Sequence, residues 1–119
     1  MEFNVTFYDL PDGTEPAQEF LDSLDDKMRA KMLRAIDALA AYGYELREPI
    51  SKSLGDGIFE LRAQVGSNIS RVMYFFFIGQ NVVLTNGFIK KNQRTPRAEI
   101  EKAARYRAEY LSRRDGNGN

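Results

Sequence analysis

Residues 58–89 read IFELRAQVGSNISRVMYFFFIGQNVVLTNGFI, and this stretch decides the fold. Apolar residues alternate with polar ones or run continuously, and Gly, Ser and Asn interrupt them, which is the pattern of short β-strands. We predict three successive strands at about 58–65, 69–78 and 82–89. Because only short turns separate them, neighbouring strands should pair antiparallel.

The segment before these strands predicts a further strand followed by two helices. Residues 2–8 alternate between apolar and polar side chains, as a half-buried strand does. Thr14 is expected to cap a first helix that tolerates Pro16 near its start. A second helix should begin near Asp25 and end around Gly43, because glycine adopts a left-handed cap conformation most easily.

The remaining segments complete one domain spanning residues 1–119. Residues 43–57 are rich in Gly, Pro and Ser and are interpreted as a connector. Thr95 as a cap and Pro96 directly after it predict the start of a last helix, and residues 113–119 are expected to form a disordered tail. The predicted order is therefore β-α-α-β-β-β-α, an α+β fold with a mainly antiparallel sheet. The helix hairpin should cover one face of the sheet and leave the other partly open.

Composition restricts the available chemistry. The 119 residues include no cysteine and no histidine, so disulfides, thiolate metal sites and thiol nucleophiles are excluded, and we expect no metal or other cofactor. The N-terminus lacks the pattern of a signal peptide. The longest apolar run, residues 72–78, is far too short to cross a membrane. We therefore expect a cytoplasmic protein without membrane contact.

Charge is distributed unevenly, although the formal net charge is zero. Residues 1–50 carry 11 acidic and 5 basic side chains, a net charge of −6, and residues 51–119 carry 6 acidic and 12 basic ones, a net charge of +6. This asymmetry points to an anionic partner for the C-terminal half. The alternative interpretation is that one helical layer is simply rich in acidic residues.

Charged side chains of the predicted strands fall on the open face of the sheet. Glu60 and Arg62 alternate with apolar residues that belong to the core, so both point away from the helices. A turn of even length at Ser67-Asn68 would place Arg71 diagonal to Arg62 on the same face. A three-residue turn would instead drive Arg71 into the core, which a guanidinium group disfavours.

The next hairpin brings further basic residues to this face. A two-residue type II′ turn at Gly79-Gln80 would put Phe88 opposite Arg71, and Lys90 would follow on the same side. A bulge of one residue would substitute Lys91 for Lys90, and the spacing does not decide between the two lysines.

Three more basic residues are candidates for contact with the anionic partner. Lys52 enters from the connector beside the first of the three strands, and Arg94 and Arg97 flank the start of the last helix. Together with the strand residues they would form a cationic patch suited to a phosphodiester. The alternative is that Glu60, Arg62 and their neighbours form only a surface ion-pair ladder, which contributes little to stability.

Several short motifs occur in the order found in a toxin family. They are Lys52-x-Leu54, Gly57-Ile-Phe-Glu-Leu-Arg62, Arg71-Val-Met-Tyr-Phe-Phe, Gly87-Phe-Ile-Lys-Lys91, Thr95-Pro96, and Glu99-Ile with Ala103, Arg107 and Glu109-Tyr110. With these motifs the chain resembles HigB-type toxins of the RelE/ParE superfamily, in a branch of phage-derived toxin-like proteins. The resemblance covers about residues 45–112 by motif and the N-terminal elements by their layout.

This resemblance implies the toxin of a type II toxin–antitoxin system. Such a toxin is a ribosome-dependent endonuclease that cleaves mRNA, inhibits translation and is itself inhibited by a cognate antitoxin. By analogy, the antitoxin carries a helix-turn-helix domain, and the other partners are the ribosome and mRNA. Metal-free RNA cleavage uses the 2′-OH as nucleophile, so the protein must supply a base, an acid and cations.

The resemblance also implies roles for individual residues. Arg71 matches the arginine that is thought to hold the scissile phosphate, and Arg62 matches a basic residue of the active strand. Lys91, or alternatively Lys90, matches the residue proposed to protonate the leaving group. Glu60 is the candidate base, although it stands where close relatives of RelE carry a lysine and is at least as well explained as a structural partner of Arg62.

Two other functions stay open at this point. A ParE-like protein would inhibit DNA gyrase by protein contact and leave mRNA intact. An inactive phage-derived binding module would be insensitive to substitution of Arg71. The motifs from Gly87 to Pro96 favour the endonuclease over both, and this choice rests on the resemblance because a fold alone does not give a function.

Overall fold

The computed structural model describes residues 2–117, and the side chains of residues 2–114. It has an α+β fold, as predicted, with one more strand than expected. The elements are β1 (Asn4–Phe7), α1 (Pro16–Ser23), α2 (Asp26–Tyr42), a short 3-10 helix (Gly43–Glu45), β2 (Ser51–Gly55), β3 (Ile58–Val65), β4 (Asn68–Phe77), β5 (Asn81–Lys90) and α3 (Arg97–Asn117).

The five strands form one mainly antiparallel sheet in the order β1-β5-β4-β3-β2. The three long strands are consecutive neighbours, because their short turns leave no room for another arrangement. β1 pairs with β5 in parallel, after the two helices have carried the chain across the sheet. The prediction of a mainly antiparallel sheet is therefore confirmed.

The strand β2 lies inside the segment that we interpreted as a connector. Ser51–Gly55 pairs antiparallel with β3, with a register shift between Ser53 and Gly55. Its residues are small, polar or charged, so neither apolar alternation nor β-branched side chains mark it in the sequence. This segment forms a strand because the exposed edge of β3 offers it backbone hydrogen bonds. Strand propensity alone therefore did not predict β2.

The helices α1 and α2 cover one face of the sheet, as predicted. Asp25 caps α2 by accepting a hydrogen bond from the amide of Met28 at 2.8 Å. Gly43 ends the helix with a φ of +49°, in the region that favours glycine. The prediction that Thr14 caps α1 is wrong, because the cap position is Glu15 and its side chain makes no capping hydrogen bond.

The helix α3 covers the other face, so the prediction that this face stays partly open is wrong. Ala103 and Tyr110 are buried in clusters with Met73 and Phe75, which point away from α1 and α2. The helix also runs to Asn117, past the predicted start of the tail at residue 113. The last two residues of that predicted tail, 118 and 119, lie outside the described residues.

The hairpin of β4 and β5 has the predicted pairing at Arg71 but a different turn. Its turn spans residues 78–80 and is not the two-residue type II′ turn that we predicted. A bulge then adds one residue to β5 opposite Met73. These two departures cancel, so Arg71 lies opposite Phe88 as predicted.

Candidate functional site

Three charged side chains of β3 and β4 lie together on the face that α3 covers. Arg62 is paired directly with Arg71, and Glu60 is two residues from Arg62 on the same side of β3. The turn consists of residues 66–67, because Val65 pairs with Asn68. Arg71 is therefore directly opposite Arg62. The predicted turn at residues 67–68 would have placed it diagonal to Arg62, so that prediction is wrong. We call Glu60, Arg62 and Arg71 the charged cluster.

The guanidinium group of Arg71 is fully buried, with a relative exposure of 0%. Its terminal nitrogens donate to the main-chain oxygens of Ile69 at 3.3 Å, Lys90 at 3.4 Å and Asn92, and its Nε has no partner among the described residues. The guanidinium carbon lies 5.3 Å from the centre of the Phe88 ring. Burial lowers the pKa of Arg71, while the nearby Glu60 carboxylate opposes this effect.

The carboxylate of Glu60 is also fully buried, and both of its oxygens are occupied. One oxygen accepts a hydrogen bond from Nε of Arg62, and the other accepts one from the hydroxyl of Thr95. We had predicted that Thr95 caps α3. Instead, its hydroxyl points at the sheet, and the main-chain oxygen of Pro96 accepts the first helical hydrogen bonds.

Residues 91–96 form a loop over the charged cluster, which we call the cover loop. Arg62 holds it with both terminal nitrogens, which donate to the side-chain oxygen of Gln93 at 2.9 Å and to its main-chain oxygen at 2.6 Å. The hydrogen bonds between Thr95 and Glu60 and between Asn92 and Arg71 also hold the loop in this position. A phosphate can therefore reach Arg71 only when the cover loop moves away.

The other residues predicted for the site surround the cluster without joining it. Lys52 is exposed on β2, directly opposite Glu60. It is the main-chain oxygen of Lys90, and not its ammonium group, that contacts Arg71. The other basic residues predicted for the site are also exposed, namely Lys90, Lys91, Arg94 and Arg97. The structure brings Glu60, Arg62 and Arg71 together and leaves these four lysines and arginines, with Lys52, facing solvent.

Sequence reasoning missed Gln93 and Thr95 as partners of the cluster. Thr95 did carry a signal, because it precedes a proline, but that signal was interpreted only as a helix cap. The contacts of Asn92 and Gln93 run largely through main-chain oxygens, which every residue type carries. Contacts of this kind therefore cannot be predicted from the types of residues in the sequence.

Within the described residues, neither a metal centre nor a membrane segment is formed. No three acidic side chains gather closely enough to hold a metal ion between residues 2 and 114. None of the helices in the described part of the chain is long and apolar enough to span a bilayer.

Comparison with known proteins identifies the family of this chain. A family described as phage-derived protein Gp49-like (DUF891) matches residues 19–108, which run from α1 through the charged cluster and most of α3. No curated protein matches the chain. The match covers well over half of the 119 residues. The chain therefore belongs to the Gp49-like family of phage-derived proteins (DUF891), which is in general a family of RelE/HigB-like toxins.

Proposed function

We propose that this protein is the HigB-type toxin of a type II toxin–antitoxin system and that it cleaves mRNA on the ribosome. The observation that carries the proposal is the direct pairing of Arg62 with Arg71 next to Glu60 on one face of the sheet. Two guanidinium groups side by side can bind the oxygens of one phosphodiester and stay charged while doing so. Membership of a phage-derived toxin-like family supports the same function.

The reaction would proceed by attack of the 2′-OH of the RNA on the neighbouring phosphate. Arg62 and Arg71 would stabilise the charge that develops on the phosphate oxygens, which is the largest contribution expected in such a site. Glu60 is the candidate base, and Lys91 or Lys90 would protonate the leaving oxygen. A positioned acid or base adds about 10²–10⁴-fold to the rate.

The cover loop has to open before this chemistry can occur. In the closed arrangement the donors of Arg71 are directed at main-chain oxygens, and Glu60 is occupied by Arg62 and Thr95. We propose that binding to the ribosome supplies the interactions that open the loop. Cleavage of free RNA should therefore be weak or absent.

The burial of Arg71 also favours one alternative function. A ParE-like inhibitor acts by contact with DNA gyrase, and it needs no phosphate at this arginine. A fully buried guanidinium that braces a loop is consistent with such a purely structural role. In that case the protein would inhibit gyrase through contacts of its surface, and mRNA would stay intact.

A cognate antitoxin is the expected partner in either case, because an uninhibited toxin would kill its host. We propose a helix-turn-helix antitoxin that either masks the basic residues around the cover loop or docks on the acidic helical layer. The first 50 residues, which include α1 and α2, have a net charge of −6 from 11 acidic and 5 basic side chains.

Induced expression tests the proposed function. Wild type, Arg62→Lys and Arg105→Lys are expressed, and growth, transcript integrity and DNA supercoiling are measured. Arg62→Lys keeps a positive charge beside Glu60 but loses the planar group that binds two phosphate oxygens. Arg105 is exposed on α3 and serves as the matched control. We expect growth arrest with cleaved transcripts for wild type and the control, and intact transcripts for Arg62→Lys. Intact transcripts with arrested supercoiling in wild type would establish the alternative.

A further inference from the structure

A groove of about 490 Å³ lies beside the charged cluster, between α2 and the end of β3. β2 pairs with residues 58–61, and the following part of the β3 edge forms one wall of the groove. On this edge the amide of Arg62 donates to the main-chain oxygen of Ile50 at 2.8 Å, and the ammonium group of Lys31 donates to that of Gln64 at 2.7 Å. Lys31 and Arg34 of α2 form the opposite wall, and Arg62 closes the end nearest the cluster. The volume is within the range of pockets that hold small ligands.

The groove is positively charged. Lys31, Arg34 and Arg62 line it together with a single carboxylate, that of Glu48. Lys31 and Arg34 are three residues apart on a helix, so their side chains share one face. Arg34 is exposed and has no ion-pair partner among the described side chains, which leaves its guanidinium group available to an anion.

The groove also has an apolar part and amide groups. Pro49, Ile50 and Ile69 offer an apolar surface on which a flat ring can pack, and Gln64 carries an amide beside them. An anionic group next to a flat, hydrogen-bonding ring is the chemistry of a nucleotide. We propose that this groove binds one nucleotide of the RNA strand that reaches the charged cluster, an inference that rests on the proposed function in assigning the nucleotide to RNA.

The groove and the cover loop share Arg62. Arg62 lines the groove, and its two terminal nitrogens hold Gln93 of the cover loop. A phosphate at the end of the groove competes with Gln93 for these donors, because a phosphate binds a guanidinium group more strongly than a neutral amide does. Occupation of the groove therefore weakens one contact of the cover loop, while the contacts of Asn92 with Arg71 and of Thr95 with Glu60 still hold it closed.

The inference is tested by direct binding. The probe is fluorescein-labelled 2′-O-methyl hexaadenylate, whose blocked 2′-OH prevents cleavage, and unlabelled adenosine 5′-monophosphate is the competitor that represents a free nucleotide. Binding is measured by fluorescence anisotropy with full-length wild type, Arg34→Gln and Arg105→Gln. Both arginines are exposed on helices, but α3 lies on the opposite side of the sheet from α2. Urea unfolding checks that both variants are folded.

We expect Arg34→Gln to bind the hexanucleotide about tenfold more weakly, as loss of a charged hydrogen bond predicts. Arg105→Gln should change binding by less than about twofold, because distant exposed charges are screened. Displacement by the mononucleotide in wild type but not in Arg34→Gln would support the site. Equal losses in both variants, or no loss in either, would overturn the inference.

The binding experiment and the induced-expression experiment, with Arg34→Gln added to the latter, together separate this inference from the proposed function. Binding that depends on Arg34, combined with intact transcripts in cells, would refute the endonuclease and leave the nucleotide site standing. Transcript cleavage that is unchanged in Arg34→Gln, without binding in the groove, would refute the nucleotide site and leave the endonuclease standing.

Discussion

Arg62 and Arg71 lie directly opposite each other on neighbouring strands, and both guanidinium groups donate hydrogen bonds to the cover loop. Two like charges at paired positions repel each other, so the arrangement needs compensation. Glu60 supplies a carboxylate, and the cover loop supplies main-chain oxygens. The residues proposed to bind a phosphate therefore also hold the loop that excludes it.

Substitution of Arg71 should affect stability as well as activity. Arg71→Ala removes a fully buried side chain and the hydrogen bonds that it donates to the main-chain oxygens of Ile69 and Asn92. We expect the free energy of unfolding to fall by about 3 kcal/mol, as for other losses of a buried charged group with its partners. Urea unfolding measures this effect. Arg94→Ala, at an exposed position of the cover loop, is the control. Losses that are equally small in both variants would show that the buried contacts contribute little.

The hydroxyl of Thr95 should hold the cover loop closed. Thr95→Val keeps the shape of the side chain but removes the donor to Glu60. Amide hydrogen exchange in residues 91–95 should become about fivefold to tenfold faster, since one hydrogen bond to a charged group is lost. Thr6→Val on β1 is the control, because that side chain lies far from the loop in the sheet order. Unchanged exchange in Thr95→Val would mean that Arg62 and Arg71 alone keep the loop in place.

The two lysines that the sequence could not distinguish can be separated by substitution. Lys90 and Lys91 are both exposed, so Lys90→Gln and Lys91→Gln should change the free energy of unfolding by less than about 0.5 kcal/mol. Replacement of the lysine that donates the proton should lower the cleavage rate by about 10²-fold or more. Single-turnover cleavage of ribosome-bound mRNA measures this rate. Full activity of both variants and of the double variant would remove lysine from the proposed mechanism.

Acid should loosen the end of α3 through Glu109. Hydrogen bonds from Arg113 and from the hydroxyl of Tyr8 hold the pKa of Glu109 below its ordinary value of 4.5. A carboxylate whose pKa is depressed by folding stabilises the protein above its unfolded pKa and loses that contribution as the pH falls. Wild type should therefore lose more thermal stability between pH 6 and pH 3 than Glu109→Gln does. Parallel pH profiles of the two proteins would show that Glu109 makes no such contribution.

Much of the fold could be predicted because its signals are local. The three long strands follow from apolar runs between turn residues, and the helices from their spacing and from Asp25. The strand β2 carries no such signal and forms only because β3 offers it an edge. The turn at residues 78–80 was missed, and a bulge was only an open alternative whose position the sequence did not give. The pairing of Arg71 was correct only because the effects of the turn and the bulge cancel.

The sequence predicted which residues form the charged cluster, but it did not predict that they are buried. Alternation along β3 and β4 put Glu60, Arg62 and Arg71 on one face, and the structure agrees. Their burial depends on α3 and on the cover loop, which contact them through packing and main-chain oxygens. No single-residue pattern encodes such contacts. For the same reason the contribution of Arg34 to a groove became visible only when α2 was placed against β3.

The most direct test of the account is cleavage of one mRNA under two conditions. Purified wild type is mixed with a reporter mRNA that is either free or engaged by translating ribosomes, and the 5′ ends of the products are mapped by primer extension. We predict discrete cuts in the ribosome-bound mRNA and an intact free mRNA, because the cover loop closes over Arg71 and we propose that binding to the ribosome opens it. An mRNA that stays intact on translating ribosomes would contradict the proposed endonuclease, and efficient cutting of the free mRNA would contradict the closed loop.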